Sequence, residues 1–354
     1  MFDFLSKYLE QFYRPEERAA LEVQIQDFSG EKKIENCKVL DATPVFRNTL
    51  NKYLPLFKAN IDLTVGYGGN VPFDAEIITF LKKSGIKTVE NGKSSESFDF
   101  ILDCAGANAD IEVKYGVSEL TRSGFYHYQQ KNKKVFLADS GKIKTIETAL
   151  GTGEGFFRAM KKLGLAEMKN KNILLLGCGK VGFGVAMYCL DAGANVYAVD
   201  DWQNRPVPPM FHAVSRFDRN KINSLLDDAY CVITATGIYG SLTETLDLQK
   251  LVNSNALIAN IGVEDEFGGL ITPSRILNAN RPLNFILDEP THLKFIDPTM
   301  ALHNAGMLEL LKNTDGENFI IPSEKLNDYY LNIVRKHGII NSDLEKLEKY
   351  SCKR

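Results

Sequence analysis

Residues 172–184 read Asn-Ile-Leu-Leu-Leu-Gly-Cys-Gly-Lys-Val-Gly-Phe-Gly, and residues 194–201 read Ala-Asn-Val-Tyr-Ala-Val-Asp-Asp. Ile173 to Leu176 has the unbroken apolar character of a buried parallel strand, and Val185, Ala186, Met187 and Leu190 mark one face of a helix after it. Strand, glycines, helix and second strand together form a βαβ unit. Gly177 is set to make the tight turn, Gly179 to let a pyrophosphate approach the backbone, and Gly182 to let helix and strand pack closely. Lys180 and Val181 lie between them, where a helix N-terminus offers unpaired N–H groups to phosphate. A fourth glycine, Gly184, is expected to loosen the first turn. Asp200 closes the next strand about 20 residues beyond the glycines, where a carboxylate accepts the ribose hydroxyls and repels a 2′-phosphate. The segment predicts a doubly wound, Rossmann-type α/β sheet that holds NAD rather than NADP.

Outward from this unit, Gly151-Thr152-Gly153-Glu154-Gly155 interrupts the pattern and predicts a hinge ahead of a helix at 156–163. Segments 231–237 and 256–262 read as buried strands ending in small residues, which brings Thr236, Gly237, Asn260 and Gly262 to the nucleotide crevice. A last strand is expected at 285–288, and a helix over 299–311 that crosses back to the first domain. Within residues 1–150, strands at 61–65, 86–89 and 98–103 alternate with a helix at 75–83, predicting a second parallel α/β sheet. Its glycine-rich turn at 66–70 reads equally as a ligand loop or as a plain turn. The expected organisation is a substrate-binding domain over 1–150, completed by 303–354, and an NAD-binding domain over 151–302.

A chain of 354 residues is long for one core, which agrees with two domains. Its 44% hydrophobic and 25% charged composition is that of a globular protein. A net charge of −3 supplies no broad basic field, so neither nucleic acid nor membrane is an expected partner. The N-terminus lacks the basic-then-apolar order of a signal peptide, and the expected location is cytoplasmic. Six cysteines are scattered without C-x-x-C pairs or Cys/His clusters, so no metal is expected.

The ordered motifs resemble those of the S-adenosylhomocysteine hydrolase family from about residue 101 to 311. The stations are Phe100-Ile101-Leu102-Asp103-Cys104, the run from Gly116 to Gly124, Ala138-Asp139-Ser140, Gly177 to Gly184, Thr234-Ala235-Thr236-Gly237, Asn260-Ile261-Gly262 and Met300-Ala301-Leu302-His303. The resemblance implies a homo-oligomer that uses bound NAD to oxidise a ribose hydroxyl of a small nucleoside-type substrate transiently, so that a thioether can be eliminated and water added. It implies that Thr121 and Ser123 reach the nicotinamide end, beside Asn260 and Gly262. It assigns catalysis to Lys142 or Lys144, Glu147 and His303, and substrate contacts to Asp41, Thr43, Asp103, Glu119, Arg122 and His303. Among the positions that depart from the family, it has carboxylates where Leu120 and Cys104 stand and a histidine where Val263 stands. Three functions therefore stay open: a hydrolase of this type, a simple NAD-linked dehydrogenase, and a non-catalytic nucleotide-binding sensor or interaction subunit.

Overall fold

Short apolar runs alternate with helices along the whole chain, and a computed structural model, which describes residues 1–203, 206–313 and 318–351, resolves those runs into strands. They are β1 (Lys38–Asp41), β2 (Asp62–Tyr67), β3 (Lys87–Glu90), β4 (Phe98–Asp103), β5 (Val113–Glu119), β6 (Val135–Leu137), β7 (Asn172–Leu176), β8 (Asn195–Asp200), β9 (His212–Ser215), β10 (Ala229–Thr234), β11 (Leu257–Asn260) and β12 (Phe319–Ile320). One sheet has the order β12-β6-β5-β4-β1-β2-β3 and the other β11-β10-β7-β8-β9, with every pairing parallel. Both orders reverse beside their first strand. Each sheet thus has its own topological switch point, between β1 and β4 and between β7 and β10, where open α/β sheets bind ligands at their carboxyl ends. The fold is α/β, with a Rossmann-type doubly wound sheet and a second α/β unit.

The chain divides into two units, Met1–Lys144 with His292–Asn341, and Thr145–Thr291 with Ser342–Arg354. In the second, β7 is buried on both faces: Ile173 and Leu175 join the layer of Val185, Ala186 and Cys189, while Leu174 and Leu176 join that of Ile222, Val232 and Ile258. Each such side chain contributes roughly 1.5–3 kcal/mol on burial. In the first unit Leu40, Ile101, Val117 and Val135 from four neighbouring strands face one layer.

Five expectations need correction. The glycines at 151–155 do not form a hinge, because a π-helical turn at Ile146–Gly151 runs directly into a helix over Thr152–Lys162. They serve packing instead: a Cβ on Gly153 would lie 2.6 Å from the Gly184 carbonyl carbon, and one on Gly184 would collide with the Ala149 carbonyl oxygen. Gly184 therefore seats one helix on another rather than loosening a turn. Residues 285–288 form no strand, since a 3-10 turn occupies Leu283–Ile286. The helix expected over 299–311 starts earlier and spans Leu293–Lys312, with Pro298 inside it. The tail beyond 341 joins the second unit and not the first, because the Tyr350 hydroxyl donates to Asp191 at 2.6 Å and Lys346 pairs with the same carboxylate. Cys352 lies outside the described residues. No helix among the described residues is long and apolar enough to cross a membrane.

Candidate functional site

The carboxyl end of the second sheet is built by its glycines. Gly177 has φ +91°, a left-handed conformation that glycine adopts without strain, and a Cβ there would lie 2.7 Å from the Ala235 carbonyl carbon. A Cβ on Gly182 would collide with the Gly177 carbonyl oxygen, so the helix Lys180–Asp191 can approach β7 only with glycine at that position. Gly179 differs. It is the N-cap of that helix with no side-chain cap, and an added Cβ would find nothing within 4 Å. Open space therefore adjoins the N-terminus of a 12-residue helix, where backbone N–H groups and the helix dipole favour an anion. Lys180 is exposed and Val181 half-buried on the first turn.

A cavity of about 260 Å³ continues from this turn, lined by Gly177, Gly179, Asp200, Arg216, Thr236 and Leu242 among others. Asp200 accepts Cys178 N–H at 2.6 Å and Asp201 N–H at 2.7 Å, which fix its carboxylate on the cavity wall. The open cradle at Gly179, the fixed carboxylate and the cavity fit the phosphates and a ribose of a dinucleotide. Thr236 bonds Ser241 at 2.7 Å on the cavity wall, and Gly237 N–H donates to Glu266 Oε1 at 2.8 Å.

Asn260 does not present its amide to this crevice as expected. Its Nδ2 donates to the carbonyls of Glu264 and Asn280 and its Oδ1 accepts from Gly262 N–H and the Thr234 hydroxyl, so the side chain ties loops together. Gly262 makes room for Glu266, whose Oε1 would lie 2.5 Å from a Cβ there. The sequence reading missed Arg216, a charged residue just beyond a short strand, where crevice lining shows only once strand ends are known, and Glu266, which is buried behind Gly237. Burial pushes the Glu266 carboxyl above its ordinary value.

In the first unit the carboxyl ends of β1, β4 and β5 each finish on an acid: Asp41, Asp103 and Glu119, all fully buried. Asp41 forms an ion pair with Lys52, also fully buried, and accepts Thr43 N–H at 2.9 Å. Asp103 accepts the Tyr128 hydroxyl at 2.5 Å and both the backbone and side-chain N–H of Asn108 at 3.1 Å. Glu119 accepts from the backbone N–H groups of Ala105, Gly106 and Thr121 and from the Thr121 hydroxyl. Burial and the neighbouring Asp103 nevertheless outweigh those donors and push its carboxyl up to about 8.

His303 is fully buried on the long helix against β5. Its Nε2 lies 2.7 Å from the Ser118 carbonyl oxygen, which can only accept, so Nε2 carries the proton and Nδ1 is left to accept from the Thr43 hydroxyl at 3.5 Å. Burial, with Lys52 and Lys144 nearby, holds the ring neutral well below its ordinary range. Sequence reading missed Lys52 altogether, because one lysine ahead of Tyr53-Leu54-Pro55-Leu56 reads as the exposed residue of an apolar helix.

Several expected site residues have other occupations. Lys142 is exposed and pairs with Glu324 at 3.5 Å on the surface, while Lys144 is buried. Glu147 belongs to the second unit and Lys144 to the first. Glu119 staples the turns after β4 and β5, and a Cβ on Gly124 would collide with its carboxyl group. Thr121 donates its hydroxyl proton to Glu119 and accepts Gly124 N–H as the cap of the helix Arg122–Tyr128, with Ser123 3.2 Å away. Arg122 is exposed beside the Tyr126 hydroxyl. Leu120, Cys104 and Val71 pack as a small apolar group.

The buried acids predict an unusual pH response. Glu119 at about 8 and Asp297 at about 7, the latter pushed up by burial while capping Ala20 and Leu21 N–H, lie above their ordinary 4.5 and 3.8. The folded chain keeps protons there that the unfolded chain releases, so this stabilisation is complete in acid, declines above the ordinary carboxyl range and is gone once pH has risen through 7 and 8. His303 acts only below its ordinary 6.5, where the unfolded chain takes up the proton and stability falls. Between about pH 6.5 and 8 each acid should therefore subtract up to about 1.4 kcal/mol of stability per pH unit, against the opposite slope of Lys52, whose ammonium burial pulls down. Urea unfolding of Glu119→Gln beside wild type isolates the acid: the variant should lose less stability over that window, and an identical slope would contradict the assignment.

No protein-family model and no curated protein matches this sequence. Among solved structures, a dipicolinate synthase chain from Bacillus halodurans matches with a TM-score of 0.50 at 14% identity, over 79% of this chain and 98% of that one. Transhydrogenase from Sinorhizobium meliloti matches with a TM-score of 0.44 at 13% identity, over 78% and 95%. At these identities the likeness is one of fold. Fold and crevice together define a two-unit α/β chain whose second unit is a Rossmann-type domain with a cavity at the carboxyl ends of its strands.

Proposed function

We propose that the chain is a nicotinamide-dinucleotide-dependent oxidoreductase that uses NAD. The observation that carries this reading is the uncapped helix N-terminus at Gly179, open to space and sharing one cavity with the anchored Asp200 carboxylate. When bound, the nucleotide supplies the hydride acceptor or donor. The backbone N–H groups after Gly179 hold the pyrophosphate, and Asp200 accepts the ribose hydroxyls. In the first unit, Arg122 offers an exposed cation to a substrate carboxylate or phosphate, while Thr43, Asp103 and His303 are buried in the same unit.

The elimination chemistry of S-adenosylhomocysteine hydrolase is the second reading, favoured by the ordered motif series. Leu120, Cys104 and Val71 weigh against it, because an apolar group cannot orient a ribose hydroxyl where that chemistry needs carboxylates. Simple dehydrogenation therefore comes first. The test is to incubate the protein with NAD and either S-adenosylhomocysteine or a panel of carboxylate-bearing alcohols, reading absorbance at 340 nm and free thiol. The expected result is reduced nucleotide with an alcohol and no thiol. Thiol release without net reduction would establish the hydrolase reading, and a sample that neither turns over nor releases nucleotide on denaturation would favour the sensor.

A further inference from the structure

Arg216 lies one residue beyond β9, whose Ser215 pairs in register with Asp200, and its own N–H donates to the Asp200 carbonyl at 3.0 Å. Its exposed side chain borders the same cavity as the Asp200 carboxylate, with the guanidinium 5.0 Å from the Phe217 ring. The same cavity is lined by Leu242 and Thr245, from the segment that follows β10. The cavity thus brings together a planar cation, the apolar Leu242 side chain and the Asp200 carboxylate.

We propose that Arg216 is a specificity-determining residue of the nucleotide site, laying its guanidinium on one face of the adenine while Leu242 and Thr245 cover the other. This rests on the dinucleotide reading of the same crevice. Guanidinium is planar and weakly hydrated and stacks on π-faces, which an ammonium does poorly. A 2′-phosphate is the other group an arginine here could meet, but it would have to sit against Asp200, whose carboxylate two backbone donors fix at the ribose position. The base is the partner that leaves both side chains in favourable contact.

Trp202, the single tryptophan of the chain, is anchored close by through Nε1 to the carbonyls of Ala198 and Val214, at 3.1 Å each, and gives an optical probe by energy transfer to reduced nicotinamide. The experiment titrates wild type, Arg216→Ala and Arg216→Lys with NADH, NADPH and reduced nicotinamide mononucleotide, which lacks the adenosine. Wild-type binding of NADH secures the underlying reading, independently of Arg216. The expected result is NADH affinity weakened roughly tenfold in R216A and little restored in R216K, with the mononucleotide unaffected. Unchanged NADH affinity in R216A would overturn the proposal. So would a loss confined to NADPH and restored by lysine, which would make Arg216 a phosphate contact. Equal losses for NADH and the mononucleotide would also overturn it.

Discussion

Replacing Lys52 with methionine should lower the unfolding free energy by about 3–5 kcal/mol, the range measured when one partner of a buried ion pair is removed. Lys52 and Asp41 are both inaccessible to solvent, and the Asp41 carboxylate also accepts the Thr43 N–H. Burial pulls the Lys52 ammonium well below its ordinary value, and Asp41 is its ion-pair partner. Without that ammonium, the carboxylate must remain as an uncompensated buried charge or take up a proton. The second variant makes the argument decisive: Asp41→Asn with Lys52→Met removes both charges and should recover much of the loss, since replacing a whole buried pair is often near neutral. Urea unfolding reads both. A K52M loss below about 1 kcal/mol, or a double variant no better than the single, would contradict a charged pair.

The glycines of the nucleotide turn should separate into two kinds. Gly182→Val pushes a side chain into the Gly177 carbonyl, so the helix must withdraw from β7; both the melting temperature and dinucleotide affinity should fall, the latter roughly a hundredfold or more, about 2.7 kcal/mol. Gly179→Ala meets no protein atom within 4 Å and has an ordinary negative φ of −71°. Its melting temperature should stay near wild type while dinucleotide affinity falls, because the added methyl occupies the space the pyrophosphate needs. Calorimetric melts paired with nucleotide titrations check both. Normal affinity in G179A would place the phosphates elsewhere.

This contrast also explains what could be read from sequence. The second unit was legible around its centre because strand, turn, helix and ribose carboxylate are contiguous, so spacing alone sets Gly177, Gly182 and Asp200 in position. Gly153 and Gly184 were misread for the same reason: a close approach between two helices leaves no local signature, and a glycine cluster looks like a hinge. Residues 285–288 have a strand's apolar composition, but the 3-10 turn that follows Pro282 takes in Phe285 and Ile286 and leaves no strand.

The polar cluster of the first unit was visible as residues but not as roles. Glu119, Asp103 and Asp41 stand out in the sequence, yet which donors they meet depends on loops after other strands folding onto them. Glu119 reads as a ligand carboxylate until Ala105 and Gly106 present their N–H groups to it. Lys52 and Asn304, which bonds Gln24 and the Lys52 carbonyl, connect segments hundreds of residues apart, so periodicity carries no trace of them.

The decisive observation is a crystal of the stripped protein grown with NADH, supported by calorimetry on the same sample. One nucleotide per chain is expected, its pyrophosphate beside Gly179 and its adenosine sugar on Asp200. A correctly folded sample that takes up no NADH, with side chains filling the space between Gly179 and Asp200, would contradict the account.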